Sequence, residues 1–376
     1  MSTALDDGGD DTRSKSFNWW RSAEEFDENG HFKVEPTSAS ELTPKLKLLR
    51  EMERLARVAP EALDELRYKL ASYRAGDLYL PTGGIKKEEL EIPPLITILL
   101  MGFKSSGKSS LINLMYSVLG RAGLIPFAQT SRDSSKYSTM FLEEHNVLRS
   151  MRNGFCVFDS RGLDYDNVDE GLDDVCSWMK DGVRHYQQCW RPSDGDASSG
   201  LSWFDSPPRY AKRRVNCAVV VVSVAEIYGA LKGGDPKPLE ATKELFYCHA
   251  LRKCYENPIL VLTHGDLLST NERLEGRLKI CEFLGISESS GACDIVCLTE
   301  SGFLADEYDP VVAYTLTEAI YRALLFSDRT HNPKKSFNDW FLLCSSWLMC
   351  YIAAFFAFLA YCFSRLADKT GNKLKR

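Results

Sequence analysis

The sequence predicts an α/β fold: a mostly parallel six-stranded sheet flanked by helices, with an N-terminal helical hairpin and a C-terminal transmembrane helix. Two observations predict it. Apolar runs that suit buried strands alternate with amphipathic stretches across residues 95–327, an order that gives a parallel sheet covered by helices on both faces. Residues 340–363 contain no charged side chain, and a helix of that length is about 36 Å long, enough to cross a hydrocarbon core of about 30 Å.

Length and composition indicate one large domain with appendages. The chain has 376 residues, more than a single hydrophobic core usually contains. A hydrophobic fraction of 44% and a charged fraction of 26% exclude wholly disordered, collagen-like and disulfide-scaffold proteins. The formal net charge is -6, and the central body has no basic stripe. We therefore expect no nucleic acid partner.

The N-terminal region divides into two parts. Residues 1–39 carry nine Asp or Glu against four Lys or Arg and have no regular apolar period, so we expect a disordered acidic N-terminus without a signal peptide. Residues 40–94 predict a helical hairpin and a linker. Thr43 suits the cap of a helix beginning at Pro44, and Pro60 suits the start of the second helix. We favour the interpretation that this hairpin is a helical collar packed on the following domain over the alternative that it is a separate binding module.

The body, residues 95–327, alternates strands with helices. The apolar runs predict strands at 95–102, 138–145, 155–159, 215–224, 258–263 and 294–298. The amphipathic runs predict helices at 109–119, 168–188, 239–254, 271–284 and 310–326. Residues 189–213, rich in Pro, Ser, Gly and Asp, predict a surface insertion. Residues 328–339 are expected to be a linker and residues 364–376 a basic tail.

The twelve cysteines include no CxxC pair. Together with the expected lack of a signal peptide, this indicates reduced thiols in a cytosolic environment. A metal site made of Cys293, Cys297 and a distant histidine is the weaker alternative.

The strongest motif matches GxxxxGK[ST] and lies between a predicted strand and a predicted helix, as a phosphate-binding loop requires. Successive backbone N–H groups and the helix N-terminus would hold a phosphate, Lys108 would neutralise the β/γ-phosphates, and the Ser109 hydroxyl would bind Mg²⁺. The candidate nucleotide-binding residues here are Gly102, Lys104, Ser105, Ser106, Gly107, Lys108, Ser109 and Ser110.

A second motif, DxxG, follows at Asp159–Gly162 after an apolar strand. Asp159 would hold a Mg²⁺-bound water, and the Gly162 N–H would meet a γ-phosphate. The loop before it occupies the place of a nucleotide-sensing switch, where Thr130 is the candidate second hydroxyl for Mg²⁺. Ser131, Ser134 and Thr139 remain alternatives.

A third motif, Thr263-His264-Gly265-Asp266, follows a predicted strand. The order of the three motifs resembles the translation-factor and Ras-like class of P-loop GTPases, over roughly residues 95–327. The resemblance implies a P-loop GTPase-like fold and guanine selection by Asp266, which would pair with the base N1 and N2 donors. Thr263 and His264 stand where the class has [NT]K, and a flat imidazole can still stack on a base. Leu298 and Thr299 lie where the fifth GTPase loop falls, by position only.

The phosphate loop FKSSGKSS is similar to those of dynamin-related and septin-like GTPases. In dynamin-like members the serine that matches Ser105 helps to activate water together with a cation, so the resemblance implies that Ser105 contributes to catalysis. Thr130 and Gly162, which are expected to report the γ-phosphate, complete the candidate catalytic set. A second copy of the chain could complete the site through a homodimer of the GTPase domain. Ras-like enzymes place a water-orienting glutamine after the DxxG glycine, where this chain has Leu163. We therefore expect slow hydrolysis unless a partner completes the site. Arg161 is interpreted as solvated, with a cis arginine finger as the alternative.

The uncharged segment 340–363 predicts a single-pass membrane anchor, with a buried helix of the globular domain as the alternative. Because 13 residues follow it, we expect a tail anchor with the GTPase domain in the cytosol. The tail is net +4 against +1 for residues 328–339. The positive-inside rule would hold such a tail in the cytosol, which conflicts with a simple tail anchor. Tail-anchored proteins of mitochondrial and plastid outer membranes resemble this basic-tail pattern, so an organelle outer membrane is favoured over the endoplasmic reticulum.

The sequence therefore predicts a membrane-anchored protein that binds GTP and Mg²⁺ and hydrolyses GTP slowly, as a nucleotide-dependent switch or self-assembling module on a cytosol-facing membrane. The alternative is a nonhydrolysing nucleotide-binding membrane tether. An ATP-dependent kinase is a weaker third interpretation, because THGD would then have no role.

Overall fold

The computed structural model describes residues 18–33, 42–81, 84–120, 128, 139–148, 154–189, 210–252, 257–296, 299–300, 303–304, 309–334 and 337–374. Most of the predicted insertion and most of the predicted switch loop lie outside these ranges. The chain divides into two compact units. The first is Met1–Leu80 with Ile92–Thr330, and the second is Pro81–Glu91 with His331–Arg376.

The strands that the structure describes in the first unit form two sheets. They are β1 (Ile96–Met101), β2 (Phe141–His145), β3 (Phe155–Asp159), β4 (Gln187–Gln188), β5 (Cys217–Ser223), β6 (Ile259–Thr263), β7 (Ala292–Asp294), β8 (Thr299–Glu300) and β9 (Phe303–Leu304). The main sheet has seven strands in the order β4-β2-β3-β1-β5-β6-β7, and β8 pairs with β9. Neighbours in the main sheet are parallel, except that β2 runs antiparallel to both β3 and β4. The predicted α/β fold with a mostly parallel sheet is confirmed, and the predicted number of six strands is wrong.

The additional strand, β4, lies where the sequence predicted helix through residue 188. The helix ends at Asp181 because Gly182 has a φ of +86°, which favours glycine. A Cβ at Gly182 would also lie 2.4 Å from the Arg213 carbonyl oxygen. After this glycine, Val183 pairs with Arg213, and β4 then adds to the edge of the sheet against β2.

Helices cover both faces of the sheet. They are α1 (Pro44–Ser72), α2 (Lys108–Val118), α3 (Val168–Asp181), α4 (Val224–Lys232), α5 (Lys237–Phe246), α6 (His249–Arg252), α7 (Thr270–Phe283) and α8 (Pro310–Arg329). Successive side chains of β1 alternate between the two faces. Ile98 and Leu100 pack in a buried cluster with α1, α2 and α8, whereas Leu99 and Met101 pack in a second cluster with α3, α4, α5 and α7.

Helix α1 continues through Pro60, so the predicted helical hairpin is wrong. Its buried side chains lie on both sides of the proline, from Leu48 to Leu70, and the helix packs against α8. Pro60 itself is exposed. A proline inside a helix costs about 3 kcal/mol, and burial of one apolar face across the whole helix outweighs that cost.

The last helix of the body is longer than predicted. It ends at Arg329, two residues inside the expected linker. Asp328 in this last turn is fully buried. Its carboxylate accepts hydrogen bonds from the Tyr73 hydroxyl (2.9 Å) and from the backbone N–H groups of Gly76 (2.8 Å) and Leu78 (2.9 Å). These bonds hold the loop after α1 to the end of α8.

Residues 18–33 are folded, so the prediction of disorder is wrong for this segment. Trp20 is fully buried, and its indole N–H donates to the Glu53 carboxylate (2.7 Å). The Arg21 guanidinium donates to both oxygens of the same carboxylate (2.7 and 2.9 Å). Burial alone would raise the pKa of Glu53, but the hydrogen bonds from Arg21 and Trp20 lower it below its ordinary value. The Trp19 ring lies 3.8 Å from the Arg273 guanidinium on α7.

The second unit contains a short backbone pairing between its two chain segments and a long helix. Leu90 pairs with Pro333, and the Glu91 N–H donates to the Asn332 carbonyl (2.8 Å). Helix α9 follows, Phe337–Leu374, and it includes most of the predicted basic tail. Within the described part of the chain, it is the one helix long and apolar enough to cross a membrane, over Trp340–Arg365 with a mean hydropathy of 2.0. The described side chains of this stretch are mostly exposed and none is buried.

Candidate functional site

The phosphate loop connects β1 to α2, as the sequence predicted. Gly107 caps α2 in the left-handed conformation (φ +88°), and Ser105 also has a positive φ (+59°). Inside this loop lies the Lys108 ammonium, which donates to the carbonyl oxygens of Gly102 (3.2 Å) and Phe103 (2.9 Å) and to the Ser106 hydroxyl (3.4 Å). Ser110 follows in the first turn of the helix. The loop therefore encloses a positive charge next to a helix N-terminus, which is the setting that binds phosphate.

Asp159 and Ser109 meet beside this loop. The Ser109 hydroxyl donates to Asp159 Oδ2 (2.6 Å). Asp159 Oδ1 is buried and accepts no hydrogen bond from any residue that the structure describes. Burial raises the pKa of the Asp159 carboxyl, and the Ser109 hydrogen bond and the Lys108 charge oppose the rise. A buried carboxylate oxygen without a partner, next to a hydroxyl, fits the oxygen ligands that Mg²⁺ prefers.

The DxxG segment is fastened to the phosphate loop. The Leu163 N–H donates to the Gly102 carbonyl (3.0 Å), and the Lys104 N–H donates to the Leu163 carbonyl (2.9 Å). The approach is so close at Gly162 that a Cβ there would lie 2.6 Å from Lys104 Cα. Gly162 thus lies against the loop, and its contact with a γ-phosphate stays a prediction.

The Leu163 side chain points into the core and not into the site. Leu163 is 3% exposed and packs among the buried side chains of the second cluster. A Cβ added to Gly171 on α3 would lie 2.8 Å from the Leu163 side chain. The position after the DxxG glycine is therefore a packing position in this chain.

Arg161 is 5% exposed, so the interpretation of Arg161 as a solvated side chain is wrong. It lies between Ser160, which donates to the Leu100 carbonyl (2.6 Å), and Gly162. This part of the DxxG segment is buried on the sheet.

Two further residues near the site were missed from the sequence. The Tyr165 ring stacks on Phe103 of the phosphate loop, with centroids 4.1 Å apart and planes 9° apart. The Tyr165 hydroxyl hydrogen-bonds the Glu226 carboxylate in the first turn of α4. Burial raises the pKa of Glu226, against the Tyr165 hydrogen bond and the Lys108 charge. The spacing Ser223-x-x-Glu226 was the available signal, because it marks a helix start directly after β5.

The third motif lies at the end of β6, beside the phosphate loop. The Thr263 hydroxyl donates to the Ser106 carbonyl (2.7 Å). His264 adopts a positive φ (+57°), and its ring lies near Gly107. Burial lowers the pKa of His264, with the Asp266 charge opposing. Asp266 is exposed and is therefore open to a ligand.

A buried ion pair packs against the backbone of this third motif. Arg273 on α7 makes two hydrogen bonds to the Asp294 carboxylate (3.0 and 2.7 Å). A Cβ at Gly265 would lie 2.3 Å from Arg273 Nε, so the motif backbone lies directly on this guanidinium. Because the Trp19 ring lies over the same guanidinium, the N-terminal segment and the third motif both pack against the Arg273 side chain.

Three predicted site residues are not placed by the structure as side chains. Thr130 and Leu298 lie outside the described residues, and of Thr299 only the backbone, in β8, is described. Ala128 is tied by two hydrogen bonds to the Asn113 side chain on α2 (2.9 and 2.8 Å). Thr130 follows Ala128 by two residues, and its role stays a prediction.

The fold has the strand–loop–helix arrangement that the first motif predicted. No family model and no curated protein matches the chain. Among solved structures, the chain is similar to a "probable GTP-binding protein engB" (15% identity, TM-score 0.33, 61% of this chain and 98% of the other). It is also similar to the bacterial selenocysteine-specific elongation factor EF-Sec (14% identity, TM-score 0.32), matching 61% of this chain but 28% of that longer one.

A third similar structure is a dimerization-deficient mutant of Toc33 from Arabidopsis thaliana (16% identity, TM-score 0.34, 70% of this chain and 93% of the other). All three likenesses are distant, and the proposals below rest on the motifs and on the geometry of the site instead.

Nucleotide binding is expected to take up a proton at alkaline pH. Burial lowers the pKa of Lys108 to about 8, with Asp159 and Glu226 opposing. Bound phosphates would raise this pKa again, so affinity should stay constant below about pH 8 and fall as the pH rises above it, by up to tenfold per pH unit. Titration calorimetry at pH 9 in two buffers of different ionisation enthalpy measures the uptake, and a parallel titration at pH 7 should give only about a tenth of a proton from Lys108. Absence of uptake at pH 9 would contradict a buried, partly neutral Lys108.

Proposed function

We propose that this chain is a membrane-anchored GTP-binding protein that hydrolyses GTP slowly and acts as a nucleotide-dependent switch or self-assembling module. The observation that carries the proposal is the group made by Lys108, Ser109 and Asp159. It combines a charge inside the loop with a hydroxyl and a carboxylate oxygen that accepts no hydrogen bond from the described residues. This donor set suits a Mg²⁺-bound nucleoside phosphate better than it suits any apolar or neutral ligand.

A Mg²⁺ ion would be held by the Ser109 hydroxyl and, through a water molecule, by Asp159. The Thr130 hydroxyl is the proposed additional ligand. When bound, Mg²⁺ neutralises phosphate charge. The chain's own residues would have separate tasks: Lys108 and the loop N–H groups would bind the phosphates, and the Gly162 backbone would sense the terminal phosphate. The remaining loop positions, Gly102, Lys104, Ser105, Ser106 and Gly107, enclose the phosphates.

Guanine is the proposed base. Asp266 is exposed at the end of β6, one strand away from β5 and two from the phosphate loop strand β1. Thr263 fixes this motif to the loop, and a carboxylate can accept hydrogen bonds from the two donors that guanine has and adenine lacks. His264, Leu298 and Thr299 are the proposed flanking contacts.

Slow turnover is proposed because Leu163 offers no polar group to attacking water. Ser105 is the remaining candidate in the loop for this role. The second candidate function, a nonhydrolysing membrane tether, is favoured by the burial of Leu163, since the residue contributes to packing instead of chemistry. The two are separated by measuring turnover.

Turnover of the purified full-length protein is expected to lie well below the ~1–10³ s⁻¹ typical of enzymes, and to rise when liposomes or a chemical dimeriser bring copies together. Leu163→Gln should not restore it. The glutamine would be buried among apolar side chains, at a cost of about 1–3 kcal/mol of unfolding free energy. Leu80→Gln, at a position 58% exposed, is the matched control and should leave stability unchanged. Fast, concentration-independent hydrolysis by the wild type would contradict the proposal, and a Leu163→Gln variant with raised turnover would contradict the packing role.

We further propose that α9 anchors the protein in a membrane, with residues 95–327 as the GTPase domain on the cytosolic side. A second copy of this chain is the proposed protein partner, through that domain. An organelle outer membrane, mitochondrial or plastid, is favoured over the endoplasmic reticulum because of the basic residues that follow the apolar segment. Fractionation of cells against markers for these membranes tests the location.

A further inference from the structure

Two thiols from distant parts of the sequence lie side by side on the surface of the first unit. Cys176 Sγ and Cys248 Sγ are 3.7 Å apart, and Cys176 is exposed while Cys248 is half-buried. Of the other described cysteines, five are buried and three lie on α9. The Cys176–Cys248 pair therefore combines a close partner with access from solvent.

One of the two cysteines lies in a helix and the other in a turn. Cys176 is in the middle of α3, the next helix along the chain after the DxxG segment, on which Leu163 packs. Cys248 is in the turn between α5 and α6. Its N–H donates to the Leu245 carbonyl (3.1 Å), and its carbonyl accepts from Leu251 (3.0 Å). A bond between the two sulfurs would therefore join the helix after the DxxG segment to a turn that is fixed in the core.

We propose that Cys176 and Cys248 are a redox-sensitive pair that forms a reversible disulfide when the protein meets a peroxide. One thiol is oxidised to a sulfenic acid as the peroxide O–O bond breaks and one water is released. The second thiol then attacks that sulfur, the S–S bond forms and a second water leaves. In total the two thiols lose two electrons and two protons, and hydrogen peroxide is reduced to two waters.

The two sulfur atoms already lie close together. Disulfide sulfurs are about 2.05 Å apart, so the two Sγ atoms must approach by less than 2 Å from their positions here. In a reducing cytosol such bonds are transient and regulatory, and a thiol reductant would restore the pair.

The expected consequence is a restraint on α3. In nucleotide switches the segment after DxxG reorders with the state of the nucleotide, and the disulfide would tie the helix that extends this segment. Oxidation should then slow nucleotide release. This consequence, unlike the disulfide itself, rests on the proposed function.

The disulfide is tested on the full-length protein in detergent micelles. The protein is treated with hydrogen peroxide, its remaining thiols are alkylated, and the digest is examined by mass spectrometry. A linked peptide pair containing Cys176 and Cys248, lost after treatment with dithiothreitol, is the expected result. Oxidised protein without this pair, or with bonds that join Cys176 or Cys248 to the cysteines of α9 instead, would overturn the proposal.

The restraint is tested by the release rate of a fluorescent GDP analogue before and after oxidation. Wild type should release it several-fold more slowly when oxidised and recover with reductant. Cys176→Ser and Cys248→Ser should each release it at one rate under both conditions, with melting temperatures measured to verify folding. Cys344→Ser, which removes an exposed thiol on α9, should respond as wild type does. Unchanged release from a linked protein would overturn the restraint. A protein that binds no nucleotide would overturn both the restraint and the proposed function, and the peptide analysis would still decide the disulfide.

Discussion

Replacing Lys108 by alanine is expected to abolish nucleotide binding. The ammonium is held inside the loop by three oxygens, at Gly102, Phe103 and Ser106, so its charge lies where the phosphates would bind. Loss of one partner from a buried, hydrogen-bonded charge pair costs about 2–5 kcal/mol, which is roughly 30-fold to several thousand-fold in affinity. Equilibrium titration with a fluorescent guanine nucleotide measures the change.

The matched control is Lys279→Ala. Lys279 lies on the surface of α7, half-exposed, and pairs with Glu275 in the same helix. This variant should bind nucleotide as wild type does. Thermal melting of nucleotide-free Lys108→Ala should stay near the wild-type curve, because the substitution also removes a charge that is costly to bury. Retention of affinity within about threefold in Lys108→Ala would show that the loop does not hold phosphates in the proposed way.

Removing residues 336–376 is expected to release the protein from membranes into the soluble fraction. The deleted part contains the 24 uncharged residues of α9, and the described side chains among them are mostly exposed. Exposure of a helix that is apolar all round is unfavourable in water, whereas the same helix is stable in the hydrocarbon core of a bilayer. Sedimentation of membranes after a high-salt wash, followed by immunoblotting of both fractions, measures the change.

A full-length variant tests the membrane anchor without shortening the chain. Ile352→Arg with Phe355→Arg places two charges near the middle of the apolar segment, at about 2.5–3.5 kcal/mol each, and should also move to the soluble fraction. Ser364→Arg, just beyond the segment, is the matched substitution and should stay with the membrane. A truncated protein that still sediments after the wash would show that the anchor lies elsewhere.

The elements that local chemistry specifies were predictable from the sequence. The strand before Gly102, the helix after Gly107 and the strand ending at Asp159 follow from apolar runs and a motif whose glycines fix the loop. The motifs also predicted that Lys108, Ser109 and Thr263 lie close to the phosphate loop, and their contacts place them there, whereas the roles assigned to them stay predictions.

What the sequence did not reveal depends on contacts between distant residues. Pro60 indicates a helix break locally, and the packing of α1 on α8 overrides it. Trp20 is in an acidic, polar segment that looked disordered, and Glu53, 33 residues later, provides its hydrogen-bond partner. The end of α3 at Gly182 had a local signal, since a glycine after a helical run is a common helix end. The burial of Leu163 and Arg161 had none, because it results from how the DxxG segment lies on the phosphate loop.

The central claim is that the site selects a guanine nucleotide, and competition between nucleotides tests it most directly. A fluorescent guanine nucleotide bound to the full-length protein is displaced with GTP, ATP and XTP, for wild type and for Asp266→Asn. The wild type should prefer GTP strongly over ATP, because Asp266 can accept from both guanine donors. Asp266→Asn should weaken GTP and relax the discrimination against XTP, since the amide replaces one acceptor oxygen by a donor. Equal affinity of the wild type for ATP and GTP would contradict the claim.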